Sequence, residues 1–253
     1  MPCVSELGRA FKNNQPHHYT IIKKSNCSDF QSFIKRFRRK ISNRSVAGRW
    51  IWWNFWHFKR NKLFHQPKKC FISGSYRHDK EDKLVEIDNF CKKLTQSLYK
   101  NGFTIINGYG YKVGYYIAAE ATKLMIEENV IDFKKHLMMF PFDEHSSNFD
   151  KKRHREFMIS KANVSIFMYG SGTEDSGMIE EYKISKLDKN RIIIPVGSTG
   201  GSAKLISKDI KKNIILYPYL EKYIETLDNE TDADILSKTI MTIINENLRD
   251  SLD

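Results

Sequence analysis

Three side chains able to recognise an anionic or hydroxylated ligand, Arg155, Glu180 and Glu181, lie among four turns built from glycine and small polar residues. The turns are Ser73-Gly74-Ser75, Asn107-Gly108-Tyr109-Gly110, Gly170-Ser171-Gly172-Thr173 and Gly197-Ser198-Thr199-Gly200. Each follows a short apolar, β-branched run, as a loop at the end of a strand would. Glycine lets a phosphate approach the main chain, and a helix starting after the turn offers free N–H groups and a favourable dipole. A guanidinium can clamp a phosphate through two parallel hydrogen bonds, and a carboxylate can accept from ribose hydroxyls. The chemistry indicated is therefore recognition of a nucleotide-like ligand. Each feature also has a plainer reading. Glycine and serine mark tight turns generally, Arg155 could be a solvated residue at a helix start, and one of two adjacent glutamates would face water.

The elements that must position these residues follow from periodicity. Cys70–Ile72, Phe103–Ile106, Leu137–Phe140, Val164–Met168 and Ile192–Val196 are expected strands, and Ile214–Leu216 a sixth. Between them, Leu84, Ile87, Cys91, Leu94 and Leu98 recur at spacings of three and four, the signature of one buried helical face. A second helix, residues 113–127, carries Gly114, Ala118 and Ala119 for close packing on the sheet. Residues 142–153 are polar and are expected to loop over the site before a helix containing Phe157, Met158 and Ile159. A short helix follows Gly201, and a terminal helix carries Ile235, Leu236, Ile240, Ile243, Ile244 and Leu248 as a stripe. Strands alternating with helices specify an α/β fold: a Rossmann-like, doubly wound, mostly parallel sheet with helices on both faces.

The net charge of +12 over 253 residues suggests a nucleic-acid binder until it is localised. Residues 1–68 hold 15 Lys and Arg against Glu6 and Asp29, a net of +13, which leaves −1 for residues 69–253. Trp50, Trp52, Trp53 and Trp56 fall in the same basic stretch, so the domain boundary is placed between 66 and 67. In residues 1–66, Tyr19–Ile22 could form a strand, and Phe30, Phe33, Ile34, Phe37 and Ile41 an amphipathic basic helix. The aromatic run Arg49–Phe58 is an expected cover for a folded surface or partner. Membrane-surface or single-strand nucleic-acid contact is the less favoured reading. Cys3, Cys27, Cys70 and Cys91 lack metal-ligand or disulfide spacing, so no metal site is expected. With no signal-peptide-like stretch and no apolar run of membrane length, a cytoplasmic location is expected.

The ordered series Phe71–Ser75, Ile106–Gly110, Arg155-Glu156 with Met158–Ser160, Ile166-Phe167 with Gly170, Gly177–Glu181 and Ile194–Gly200 resembles the SLOG domain. That domain is a Rossmann-like relative of the LOG phosphoribohydrolases, and the likeness is to the SLOG sensors joined to sirtuin-like NADases in Thoeris antiphage defence. It covers about residues 68–225. The resemblance implies binding of a cyclic ADP-ribose isomer or related NAD-derived nucleotide made by a TIR-domain partner. It also implies a NADase effector under control and a homo-oligomer formed through the domain. On its motifs, Gly74, Ser75, Gly108, Gly110, Arg155, Gly170, Gly172, Glu180, Glu181, Gly197 and Thr199 are the expected ligand-binding residues, and whether Lys112, Lys161 or Arg191 adds a phosphate contact is left open by the sequence. LOG enzymes carry a Pro-Gly-Gly-x-Gly-Thr-x-x-Glu run. Aligned on Gly172-Thr173, the proline is Met168, the first glycine Tyr169 and the glutamate Ser176, which favours binding without turnover. The alternative is a LOG-type nucleoside-phosphate N-glycosidase with Glu180 or Glu181 as acid/base. Residues 1–66 show no sirtuin-like nucleotide loop, so the chain is expected to be a truncated effector or a sensor that recruits one.

Overall fold

The computed structural model describes residues 68–77, 81–143, 145–174 and 176–250. The chain divides into two units, residues 1–63 and 64–253. The expected N-terminal strand, basic helix and aromatic run all lie outside the described residues.

Five parallel strands form one sheet in the order β3-β2-β1-β4-β5. They are β1 (Lys69–Ser75), β2 (Thr104–Asn107), β3 (Leu137–Met139), β4 (Val164–Tyr169) and β5 (Ile192–Val196). The three central strands are almost wholly buried, as apolar runs without polar alternation require. Connections step from β1 through β2 to β3 in one direction, then cross back to β4 and continue to β5 in the other. Right-handed crossovers therefore place helices on opposite faces. On one face α1 (Glu81–Lys100) packs on α2 (Val113–Glu127) and on α7 (Ala233–Asp250). On the other, α3 (Asn148–Ile159) packs on α4 (Gly177–Ser185), and α4 on α5 (Gly201–Lys212). A short α6 (Ile224–Asn229) joins α5 to α7.

The core contains Phe71, Ile72, Ile105, Ile106, Ile166, Phe167 and Ile194 from the sheet. Ile87, Leu94, Leu98, Ile206, Ile240 and Ile244 close it from the helices. Of the expected stripe on α7, Leu236, Ile240, Ile243 and Ile244 are buried, whereas Ile235 is turned outward.

Three expectations are corrected. Ile214–Leu216 is a single 3-10 turn, with Ile215 and Leu216 exposed. The edge it would have paired with is closed differently: the Tyr219 hydroxyl accepts from the Ile193 N–H at 2.9 Å and donates to the Ile193 carbonyl at 3.3 Å. One side chain thus engages both outward backbone groups of Ile193 on the edge strand. Second, the segment 142–153 is a loop only to Ser147, whose hydroxyl caps α3 by accepting from the Asp150 N–H. Third, the buried residues of α2 are Val113, Gly114, Ile117, Glu120, Ala121 and Met125, whereas Ala119 is exposed and Ala118 partly so.

Cys70 and Cys91 are buried free thiols, and burial pushes both well above the usual thiol range. Among the described residues, no helix is long and apolar enough to cross a membrane, and no cluster of potential metal ligands occurs.

Candidate functional site

The order of strand addition reverses between β1 and β4, the switch point where the crevice of an open α/β sheet lies. Register pairs Gly74 with Met168 and Ser75 with Tyr169, so the loops after both strands leave the sheet side by side. The Gly170 N–H donates to the Ser75 carbonyl at 2.9 Å and the Tyr76 N–H to the Tyr111 carbonyl at 2.9 Å, joining the ends of β1, β4 and the β2 loop.

Gly110 is required by close approach: a Cβ there would run into the Gly74 carbonyl. Asn107 steadies the same loop, donating to the Ile72 carbonyl at 2.9 Å and accepting from the Tyr109 N–H. Tyr109 and Lys112 in this loop and Tyr169 after β4 all have positive φ, at 57°, 61° and 61°. Of the positive-φ non-glycine residues among those described, these lie at the carboxyl edge of the sheet, where function is commonly placed, and Asn129 follows the end of α2.

The Gly170–Thr173 loop is held from below. Gly170 has φ 97°, and a Cβ there would strike Ser202. Ser202, fully buried at the start of α5, accepts from the Gly172 N–H at 3.1 Å and lies 3.0 Å from the Ser176 hydroxyl. Ser176 in turn caps α4, accepting from the Ile179 N–H.

The charged centre is built from α3, α4 and β1. Arg155 Nη1 pairs with Glu180 Oε2 at 2.5 Å, and its Nε lies 3.6 Å from Glu181 Oε1 without forming a hydrogen bond. The guanidinium rests 5.1 Å from the centre of the Phe142 ring and against the first residue of α4, so closely that a Cβ on Gly177 would sit 2.6 Å from Nη2. Ser73 Oγ donates to Glu181 Oε2 from the end of β1. The arginine and the inner carboxylate are largely removed from water, with side-chain exposures of 15% and 11%, against 36% for Glu180. Burial pushes the Glu181 carboxyl up to about 7, against the downward pull of the Ser73 hydroxyl and Arg155. The nearby Glu180 charge adds to the rise.

The Sir2- and TIR-associating SLOG family matches residues 61–247. The chain belongs to that family. The NAD(+) hydrolase ThsA of Enterococcus faecium is 30% identical over 195 residues, covering 70% of this chain and 39% of the relative. The protein of the same name from Bacillus cereus strain MSX-D12 is 26% identical, covering 95% of this chain and 55% of the relative. That from Acinetobacter baumannii strain 532279 is 23% identical, covering 92% and 55%. The chain thus spans about half the length of these relatives.

Within this SLOG domain the expected site residues fall into connected groups. Arg155, Glu180 and Glu181 form one cluster, and Phe142 links it to Gly108, whose Cβ would lie 3.0 Å from that ring. Gly74, Ser75 and Gly110 form the joined β1 and β2 loops, and Gly170 and Gly172 the loop over Ser202. Thr199 has its hydroxyl engaged internally: it accepts from the Tyr169 N–H at 2.7 Å and donates to the Val196 carbonyl at 2.6 Å. Gly197 is buried under the Asp228 carboxylate on α6 and is kept small by that contact. Lys161, 4.4 Å over the Phe157 ring, and Arg191, bonded to the Ile159 carbonyl and Asp188, both follow α3 or precede β5 at the amino edge of the sheet. Lys112 lies at the carboxyl edge, before α2.

Sequence reasoning did not assign Phe142, Ser202 or the Ser73–Glu181 bond. An aromatic in a polar loop and a serine opening a helix were the available signals, and neither names its partner. The position of the LOG glutamate is Ser176, a helix cap, and the replacements Met168 and Tyr169 are buried.

Proposed function

We propose that this SLOG domain is a nucleotide-signal sensor that binds a cyclic ADP-ribose isomer and thereby regulates a NAD-consuming effector in antiphage defence. The carrying observation is Arg155: a largely buried guanidinium, flattened between Phe142 and the amino end of α4, at the switch point of the sheet. A ligand phosphate there would exchange with Glu180, the more exposed of the two carboxylates, beside the amino end of α4. Gly74, Gly110 and Gly170 keep the adjoining loops low enough for a ligand to lie across the strand ends. The ThsA relatives support an effector that hydrolyses NAD(+), supplied in this protein by a further domain or a recruited chain. The family name supports a TIR-domain partner as source of the signal. Assembly of several copies through this domain is part of the same reading.

Calorimetric titration with the 1″–2′ and 1″–3′ cyclic ADP-ribose isomers tests it: saturable binding to one isomer is expected, and no heat from either sinks the reading. The elevated Glu181 carboxyl favours one second reading, LOG-type N-glycosidase chemistry, because a protonated acid near neutrality can protonate a leaving base. Free adenine released from AMP by the wild type and not by Glu181→Gln would establish it.

A further inference from the structure

The charge balance around Arg155 has a consequence for ligand binding. One guanidinium serves two carboxylates, Glu180 and Glu181, and the second of these is buried. Few other charges face it. On β1 the neighbour is the neutral Ser73, on α3 it is Arg155, and on α4 itself it is Glu180. Strand β4 is free of charged side chains, and Asp209 on α5 is directed to Tyr182 and Lys186. With both glutamates ionised the cluster carries a net negative charge. With Glu181 protonated it is neutral. A ligand phosphate adjoining Arg155 adds negative charge and draws the guanidinium away from Glu181, and for a side chain so little exposed to water the uncompensated carboxylate is the costly species.

We propose that Glu181 is a proton-linked specificity residue, so that an anionic ligand binds at Arg155 with uptake of a proton by the Glu181 carboxyl. The proposal rests on the sensor reading above. Ser73 tunes the coupling. Its hydroxyl donates to the ionised carboxylate and so favours proton loss, which keeps the empty site poised to take a proton up near neutrality. A ligand that raises the proton affinity of Glu181 must bind more tightly as pH falls. Affinity is therefore greatest below about 7 and weakens as pH rises, by up to about tenfold per unit for one fully coupled proton.

The test is calorimetry of the full chain with the 1″–3′ and 1″–2′ cyclic ADP-ribose isomers, in pairs of buffers of unequal ionisation enthalpy, from pH 6 to 8.5. The expected result is proton uptake that approaches one per ligand above pH 7, with affinity falling over the same range. Glu181→Gln, whatever its absolute affinity, should take up no proton and show no slope. Ser73→Ala, which removes the donor favouring the ionised form, should displace the fall in affinity to higher pH. Binding by the wild type with no proton uptake, or a Glu181→Gln slope equal to that of the wild type, overturns the coupling while leaving the sensor reading intact. Heat from neither isomer overturns both.

Discussion

Gly177→Ala separates the stability of the fold from the competence of the site. Gly177 is the first residue of α4, where alanine is the better helix former by as much as about 1 kcal/mol. The new methyl would stand 2.6 Å from Arg155 Nη2 and 3.4 Å from its Cζ. Ordinary contact begins near 3.4 Å, so the guanidinium tip must retreat by roughly 0.8 Å. It can do so without moving backbone, because it is the end of a flexible side chain. The fold therefore keeps its melting temperature or gains slightly, while the Arg155 guanidinium is pushed out of alignment between Phe142 and α4. Loss of one well-aligned charged hydrogen bond to a ligand costs about 1.5–3 kcal/mol, a weakening of roughly 10- to 100-fold in binding. Thermal unfolding and calorimetric titration of the same preparation measure both. Unaltered binding, or unfolding many degrees lower, would refute the placement of Arg155.

Gly110→Ala has no such escape, because its methyl meets the Gly74 carbonyl, and a loss of at least about 2 kcal/mol in denaturant unfolding is expected. Ser202→Ala removes the acceptor of the Gly172 N–H and the partner of Ser176. It should cost about 1–2 kcal/mol and speed proteolysis in residues 170–173. Glu181 also makes stability depend on pH. Its carboxyl stands at about 7 in the folded chain against 4.5 in the unfolded one, so the folded state holds the extra proton between those values. Its contribution is full below 4.5 and is lost as pH rises through about 7, by a total of about 3 kcal/mol. In urea unfolding from pH 4.5 to 8, Glu181→Gln should flatten this fall, and a slope identical to that of the wild type would refute it.

The parallel sheet was legible because β1, β2, β4 and β5 are buried and appear as short apolar runs followed by glycine- or serine-bearing turns. Ile214–Leu216 has the same composition but is a 3-10 turn, and at the β5 edge Ile193 bonds instead to the Tyr219 hydroxyl, 26 residues on, a contact that no local pattern announces. On α2 the small residues were visible, but their facing was not: Gly114 turns inward beside Asn107, whereas Ala119 turns out. The site shows the same division. Turn chemistry exposed Gly74, Gly110 and Gly170. Which of Glu180 and Glu181 is buried depends on how α4 lies over Ser73 at the end of β1, and only the packing of α3 on α4 brings Arg155 to both carboxylates. Gly197, identical in type to the others, answers to Asp228 on α6 and serves packing.

In the sensor reading, Arg155 receives a phosphate of an NAD-derived cyclic nucleotide. Calorimetric titration of wild type and Arg155→Ala with 1″–3′ and 1″–2′ cyclic ADP-ribose measures it most directly. Saturable binding of one isomer by the wild type, weakened at least about 100-fold in a variant that remains folded, is the predicted result. Equal affinity in both proteins, or no binding of either isomer by the wild type, would contradict it.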